Sequence, residues 1–174
     1  MPTIAFAGSN STTSINKQLV TYAAHLYGEA IILDLNDYSI PTFSIDIEKK
    51  EGFSEDVKRF YQTIQAASIV FISFSEHNAY FTAVFKSYMD WCSRIEYQFF
   101  KDKKIFALST SPGGYGGRNA LEAGVKLVTK FGGIVLDEFA LPKFNENFAD
   151  GKIMNPTLDL ALKEKIESFK NKIQ

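Results

Sequence analysis

The run Gly8-Ser9-Asn10-Ser11-Thr12-Thr13-Ser14-Ile15-Asn16 carries the most legible chemistry in this chain. It follows the apolar stretch Ile4-Ala5-Phe6-Ala7 and leads into residues with helical spacing. Backbone N–H groups at a helix start have no intrahelical partner, and the helix dipole adds partial positive charge there. Such a loop therefore suits a phosphate even without Lys or Arg. Gly8 lets the backbone come close, and the side chains of Ser9, Ser11, Thr12, Thr13, Ser14 and Asn16 add donors to the amides. A helix cap at Ser14 is the plainer alternative, but it accounts for one of these residues and not the rest.

Two further segments have the same character. Ser111-Pro112-Gly113-Gly114-Tyr115-Gly116-Gly117 holds four glycines in five positions directly after an apolar run. Its backbone must either approach a ligand or adopt left-handed conformations. Successive N–H groups in such a turn form an anion-seeking concavity able to stabilise charge on a heterocycle's carbonyl and ring nitrogen. A plain tight turn is the alternative, for which one or two glycines suffice. Ser75-Glu76-His77-Asn78-Ala79-Tyr80 mixes polar groups with flanking rings, which suits a flat aromatic ligand. The alternative there is that Glu76 or Asn78 caps the next helix while Tyr80 and Phe81 join the core. His25 and His77 are the only histidines and lie in different units, so neither a His-based metal site nor a catalytic triad is supported. Cys92, beside Trp91 within a helical segment, reads as a buried inert thiol.

The elements that must position these loops follow from periodicity. Strand-like runs at 3–7, 30–35, 68–74, 104–109 and 133–139 alternate with helix-like segments at 14–27, 54–67, 81–94, 118–131 and 156–173. Ile15, Leu19, Tyr22 and Leu26 share one helical face, as do Val57, Phe60, Tyr61 and Ile64. The strands are apolar without alternation, as expected of a parallel sheet covered on both faces. This predicts an open, doubly wound five-stranded α/β sheet in three layers, with ligands bound outside the strands' carboxyl ends where the three loops converge. Residues 36–53, punctuated by Pro41 and Gly52, form the longest connection.

Composition narrows the classes. A chain of 174 residues fits one domain, expected to span 1–174. With 19 basic and 20 acidic residues interspersed, it shows no electrostatic footprint for nucleic acid or anionic lipid. No apolar run reaches the roughly 18 residues of a membrane span, and one cysteine allows no internal disulfide. The N-terminus enters a strand at once and shows no targeting pattern, so a cytoplasmic protein is expected.

Taken in order, the three loops resemble the NADPH-dependent FMN reductase family of flavodoxin-like proteins, which includes quinone, azo-dye and chromate reductases. The family's GSxRxxSxN pattern is met by Gly8, Ser9, Ser14 and Asn16, with Ser11 in place of the arginine. Its PEYNxSxPxxLKNxxDW pattern is met by Glu76, Asn78, Lys86, Asp90 and Trp91, with Ser75, His77, Tyr80 and Thr82 replacing Pro, Tyr, Ser and Pro. Its SxGxxGGxRA loop resembles Ser111 to Ala120, with one residue between Arg118 and Ala120. Ile40-Pro41-Thr42-Phe43-Ser44-Ile45-Asp46 is similar to the family's proline-aromatic-acidic stretch.

The resemblance implies a flavodoxin-like domain with tightly bound FMN and NAD(P)H as co-substrate, reducing a small acceptor such as a quinone or free flavin. The phosphate would lie on Ser9, Ser11, Ser14, Ile15 and Asn16. The ring would lie against Glu76, His77, Asn78 and Tyr80, and its pyrimidine edge on Ser111, Gly113, Gly114 and Gly116. Gly114 is expected at positive φ, facing that edge. No side-chain acid or base is assigned to hydride transfer. A homodimer or homotetramer is implied, and the aromatic segment Trp91–Phe100 is expected to suit the contact. A non-enzymatic electron carrier and a flavin-free binding module of the same fold remain as alternatives.

Overall fold

The computed structural model describes residues 2–173. Its strands β1 (Thr3–Ala7), β2 (Ile31–Leu33), β3 (Ile69–Phe74), β4 (Lys104–Thr110) and β5 (Ile134–Leu141) form one parallel sheet in the order β2-β1-β3-β4-β5. The order reverses between β1 and β3, which creates a crevice at the carboxyl edge where the loops after β1 and β3 diverge. Helices α1 (Ile15–Tyr27), α2 (Ile45–Glu51), α3 (Glu55–Ala66), α4 (Ala83–Ile95), α5 (Arg118–Lys130), α6 (Phe144–Asn147) and α7 (Pro156–Ile173) complete the chain.

Alternation along β3 shows why the sheet needs cover on both sides. Val70, Ile72 and Phe74 enter a core formed with Phe60, Ile64, Phe85, Tyr88 and Leu121 of α3, α4 and α5. Ile69 and Phe71 enter the opposite core with Leu19, Val20, Leu162, Ile166 and Phe169 of α1 and α7. Both faces of β3 are therefore dry, and its sequence has no polar phase.

The structure departs from the sequence-based expectation in four places. β2 stops at Leu33 because Asp34 caps a short 3₁₀ turn at Leu35–Asp37, accepting the Asn36 N–H at 2.9 Å. Helix α2 lies within the stretch read as a connection. None of its residues is buried, so it shows no apolar stripe, and it is held by the Ser44 cap and by Arg94 Nε donating to Glu48 at 3.0 Å. Glu76–His77 and Tyr80–Phe81 pair as an antiparallel hairpin, which delays α4 to Ala83, where Thr82 Oγ1 accepts the Phe85 N–H. After α6, a second small hairpin pairs Phe148–Ala149 with Lys152–Ile153.

The segment Trp91–Phe100 corrects another expectation. Trp91, Phe99 and Phe100 are buried within the chain, and only Tyr97 of its aromatics is exposed. Trp91 Nε1 donates to Pro41 O at 2.8 Å and its ring meets Phe43 edge-on, so it anchors the 36–53 stretch. Phe99 packs on Phe131 within the domain. Cys92 is fully buried, and burial pushes its thiol pKa up, away from the reactive thiolate. No described helix is long and apolar enough to cross a membrane.

Candidate functional site

The loop after β1 is shaped by its own hydroxyls. Ser9 Oγ accepts the Ser11 N–H at 3.1 Å, Ser11 Oγ accepts the Thr13 N–H at 3.3 Å, and Ser14 Oγ caps α1 by accepting the Lys17 N–H at 3.2 Å. Ile15 and Asn16, the first two residues of α1, have backbone N–H groups beyond the reach of intrahelical bonding. Among the described residues neither finds another partner. These N–H groups form a donor pair at the positive end of the helix dipole. Lys17 turns away to pair with Asp34. Burial acts to raise the Asp34 pKa, but hydrogen bonds from Lys17 and Asn36 outweigh it and hold the carboxyl below its usual value.

Gly8 has a reason inside the protein. A Cβ there would lie 3.1 Å from the Phe85 ring, so the glycine lets α4 close on β1. Thr82 Oγ1 donates to Gly8 O at 2.7 Å and fixes the loop after β3 against the loop after β1.

Asn16 was expected to meet the phosphate with its side chain, and the structure gives that side chain other work. Its Nδ2 donates to Thr110 O at 3.0 Å, while its Oδ1 accepts the Thr110 N–H at 3.0 Å and the Ser73 hydroxyl at 2.7 Å. The buried carboxamide pins α1 to the carboxyl ends of β3 and β4, leaving the backbone N–H as the part of Asn16 open to an anion.

The loop after β3 divides. Glu76 Oε2 accepts the Ala120 N–H at 3.1 Å, capping α5, whose own cap residue Gly117 offers no side chain. A carboxylate at a helix N-terminus is favourable, and here it ties the second loop to the third. Asn78 and Ala79 are the two central hairpin residues, with φ of 52° and 59°. Asn78 is thus a turn residue, Asn tolerating the left-handed region better than most. Tyr80 meets Phe81 with its ring tilted by 42° and faces a separate groove beside Asn119 and Lys126. His77 is exposed and remains at the site.

The glycine loop also divides. Gly116 and Gly117 are left-handed, with φ of 65° and 72°, and a Cβ on Gly116 would meet Leu141 O at 2.9 Å. Gly116 N–H donates to Gly113 O and its carbonyl accepts from Ser109 Oγ at 2.8 Å, so Gly116 belongs to the turn and presents no free backbone group. Gly113 and Gly114 are exposed and lie outside the left-handed region, which corrects the expectation of positive φ at Gly114. A Cβ on Gly114 would meet nothing within 4 Å. Neither strain nor crowding inside the chain accounts for a glycine there.

Between the loops runs a trough of about 240 Å³. Ser9, Ser11, Ser14, Ile15 and Asn16 line one end, Ser75, Glu76 and His77 its middle, and Thr110, Ser111 and Pro112 the other end. No Lys or Arg lines it. Ser75 Oγ, buried in its wall, is the one fully buried side-chain polar atom without a hydrogen-bond partner among the described residues. Buried hydroxyls rarely go unpaired, so this atom fits a trough that accommodates a polar ligand. Ser75 and Thr110 open the second and third of the converging loops, but neither carries a contact of its own in the sequence reading. A hydroxyl at the last or next position of a strand's carboxyl end was the available signal. Among the described residues no cluster of three or more His, Cys, Asp or Glu is placed to hold a metal.

An N–H cradle at the first βα turn, a polar trough and a glycine loop on a 2-1-3-4-5 sheet define a flavodoxin-like nucleotide-binding protein. The sequence profile of the NADPH-dependent FMN reductase family matches residues 1–146, and the chain belongs to that family. Over 114 residues it is 31% identical to an NAD(P)H-dependent FMN reductase of Pseudomonas aeruginosa, the match covering 65% of this chain and 61% of that protein's length. Its fold is similar to FerB, a flavoenzyme NAD(P)H:(acceptor) oxidoreductase from Paracoccus denitrificans, with a TM-score of 0.79 and 21% identity over 98% of this chain and 96% of that one. An azoreductase from Bacillus anthracis superposes with a TM-score of 0.68 at 18% identity, covering 98% of both chains.

Proposed function

We propose that this chain, acting as one domain over residues 1–174, binds FMN in the trough and uses NAD(P)H to reduce a small acceptor such as a quinone or free flavin. One observation carries the reading. Unpartnered N–H groups at the α1 terminus stand at one end of the trough, and Pro112 at its other end is followed in the chain by Gly113 and Gly114, exposed glycines outside the lining that neither strain nor crowding explains. The first suits a phosphate and the second a ring edge that needs close backbone approach.

The chemistry that bound FMN supplies is acceptance of a hydride from a nicotinamide and delivery of the electron pair to an acceptor. The chain's residues hold and orient. Ile15 and Asn16 offer backbone N–H groups to the phosphate, and Ser9, Ser11 and Ser14 can turn hydroxyl protons toward it while accepting from the loop amides. Ser111, Gly113 and Gly114 present backbone where negative charge on the ring needs donors. Glu76, bonded to Ala120 N–H, keeps the two loops that flank the ring in register. His77 stands exposed beside them, where a second substrate would enter. No side-chain acid or base is assigned to the hydride step. A homodimer or homotetramer is the proposed assembly, supported by exposed Tyr80 beside a groove of about 480 Å³ along α5.

The absorption spectrum of the purified chain, before and after FMN is added, tests the cofactor, and NAD(P)H oxidation with and without a quinone tests the activity. A yellow protein that oxidises NAD(P)H faster with quinone is expected. A yellow protein without turnover would point to an electron carrier, and a chain that takes up no FMN would contradict the reading.

A further inference from the structure

Ser75 Oγ is buried in the trough wall with no hydrogen-bond partner, and nothing in the core explains the hydroxyl. An alanine of nearly the same size would satisfy the packing without leaving a polar atom unpaired. Its position defines what it can reach. It follows Phe74 at the carboxyl end of β3, which lies between β1 and β4 in the sheet. The phosphate cradle follows β1 and the glycine loop follows β4, so Ser75 stands between the two ends of the trough.

We infer that Ser75 is a specificity-determining residue that hydrogen-bonds the polyhydroxyl chain linking the phosphate of a flavin mononucleotide to its ring. This rests on the proposed FMN site and adds to it a contact that selects a hydroxylated linker. The cradle has its own hydroxyls at Ser9, Ser11 and Ser14, all in the loop after β1, while Ser75 lies one strand away. The hydroxyl can donate to or accept from a linker oxygen, and its own burial strengthens such a bond relative to one exposed to water.

Calorimetry on the wild type and Ser75→Ala, each titrated with FMN and with an analogue carrying a 5-phosphopentyl chain on the same ring, tests this. With wild type binding FMN, the alanine is expected to weaken FMN about 5- to 20-fold and the hydroxyl-free analogue less than about twofold. Equal losses for both ligands, or no loss for either, would overturn the assignment while leaving the FMN site intact. Failure of the wild type to bind either ligand would overturn the site and this contact together. Circular dichroism of the variant identifies a folding defect, and a misfolded Ser75→Ala chain would contradict the inference by showing that the hydroxyl serves the fold.

Discussion

The Asn16 carboxamide closes both hydrogen bonds of the Thr110 peptide, accepting its N–H and donating to its carbonyl, each at 3.0 Å. This links the helix at the proposed phosphate cradle to the strand that leads into the glycine loop. The two ends of the trough are thereby held at a fixed distance by one buried side chain, which also accepts from Ser73 at 2.7 Å.

Asn16→Ala leaves the Thr110 N–H, the Thr110 carbonyl and the Ser73 hydroxyl without their partner in a buried place. A loss of about 2–4 kcal/mol is expected by urea denaturation. A loss below about 0.5 kcal/mol, the scale of a neutral surface change, would show that the pin does not matter to the fold.

Gly124→Ala separates helix propensity from packing. Alanine in a helix interior gains about 1 kcal/mol over glycine. Here its Cβ would come within 2.3 Å of the Phe74 ring, which is itself braced edge-on by Phe85. Overpacking wins, and a net loss of about 1–3 kcal/mol is expected in the same denaturation experiment. A stabilised variant would show that Phe74 is free to move.

Ala79→Gly works in the opposite direction. Ala79 sits at φ 59° in the hairpin turn, a conformation that costs an L residue roughly 1–2 kcal/mol and glycine very little. After the greater unfolded-state entropy of glycine is subtracted, a gain of about 0.5–1 kcal/mol remains. A midpoint shift to higher urea checks this, and a shift to lower urea would contradict it.

Asp137 sets a pH dependence. Burial acts to raise its pKa, but hydrogen bonds from Lys165 and Lys172, both at 2.9 Å, outweigh it and hold the carboxyl below its usual value. A depressed folded-state pKa contributes stability that is present above the unfolded value of about 3.9 and lost as pH falls through the folded one. Asp137→Asn is expected to be less stable than the parent at pH 7, with the difference shrinking below about pH 4. A difference constant from pH 7 to pH 3 would assign the effect to something other than ionisation.

What the sequence made legible follows from which signals are local. Apolar runs without alternation, such as Ile69–Phe74 with its single Ser73, read as strands covered on both faces, and the parallel sheet and the edge bearing the loops followed from them, while the strand order did not. The proposed phosphate loop stands out in the sequence because a glycine and a row of hydroxyls precede a helix. The division of labour within the loops was not, because it depends on contacts far apart in sequence. Asn16 meets Thr110 across 94 positions and Glu76 meets Ala120 N–H across 44. The four glycines look alike in sequence, and only their backbone angles and neighbours separate Gly116 and Gly117, which make the turn, from Gly113 and Gly114. The hairpin at Asn78-Ala79 was hidden because its second turn residue is alanine where glycine is the usual signal.

The most direct test of the central claim is a calorimetric titration with FMN of the wild type and Gly114→Val. A Cβ at Gly114 would meet nothing in the protein within 4 Å, and the position is exposed and needs no left-handed backbone, so the variant is expected to fold as the parent does. Only a ligand lying against that backbone penalises it. One FMN per chain for the wild type and a loss of roughly tenfold or more for the variant is the expected result. No FMN bound by the wild type, or equal affinity in the two proteins, would contradict the placement of the flavin against the glycine loop.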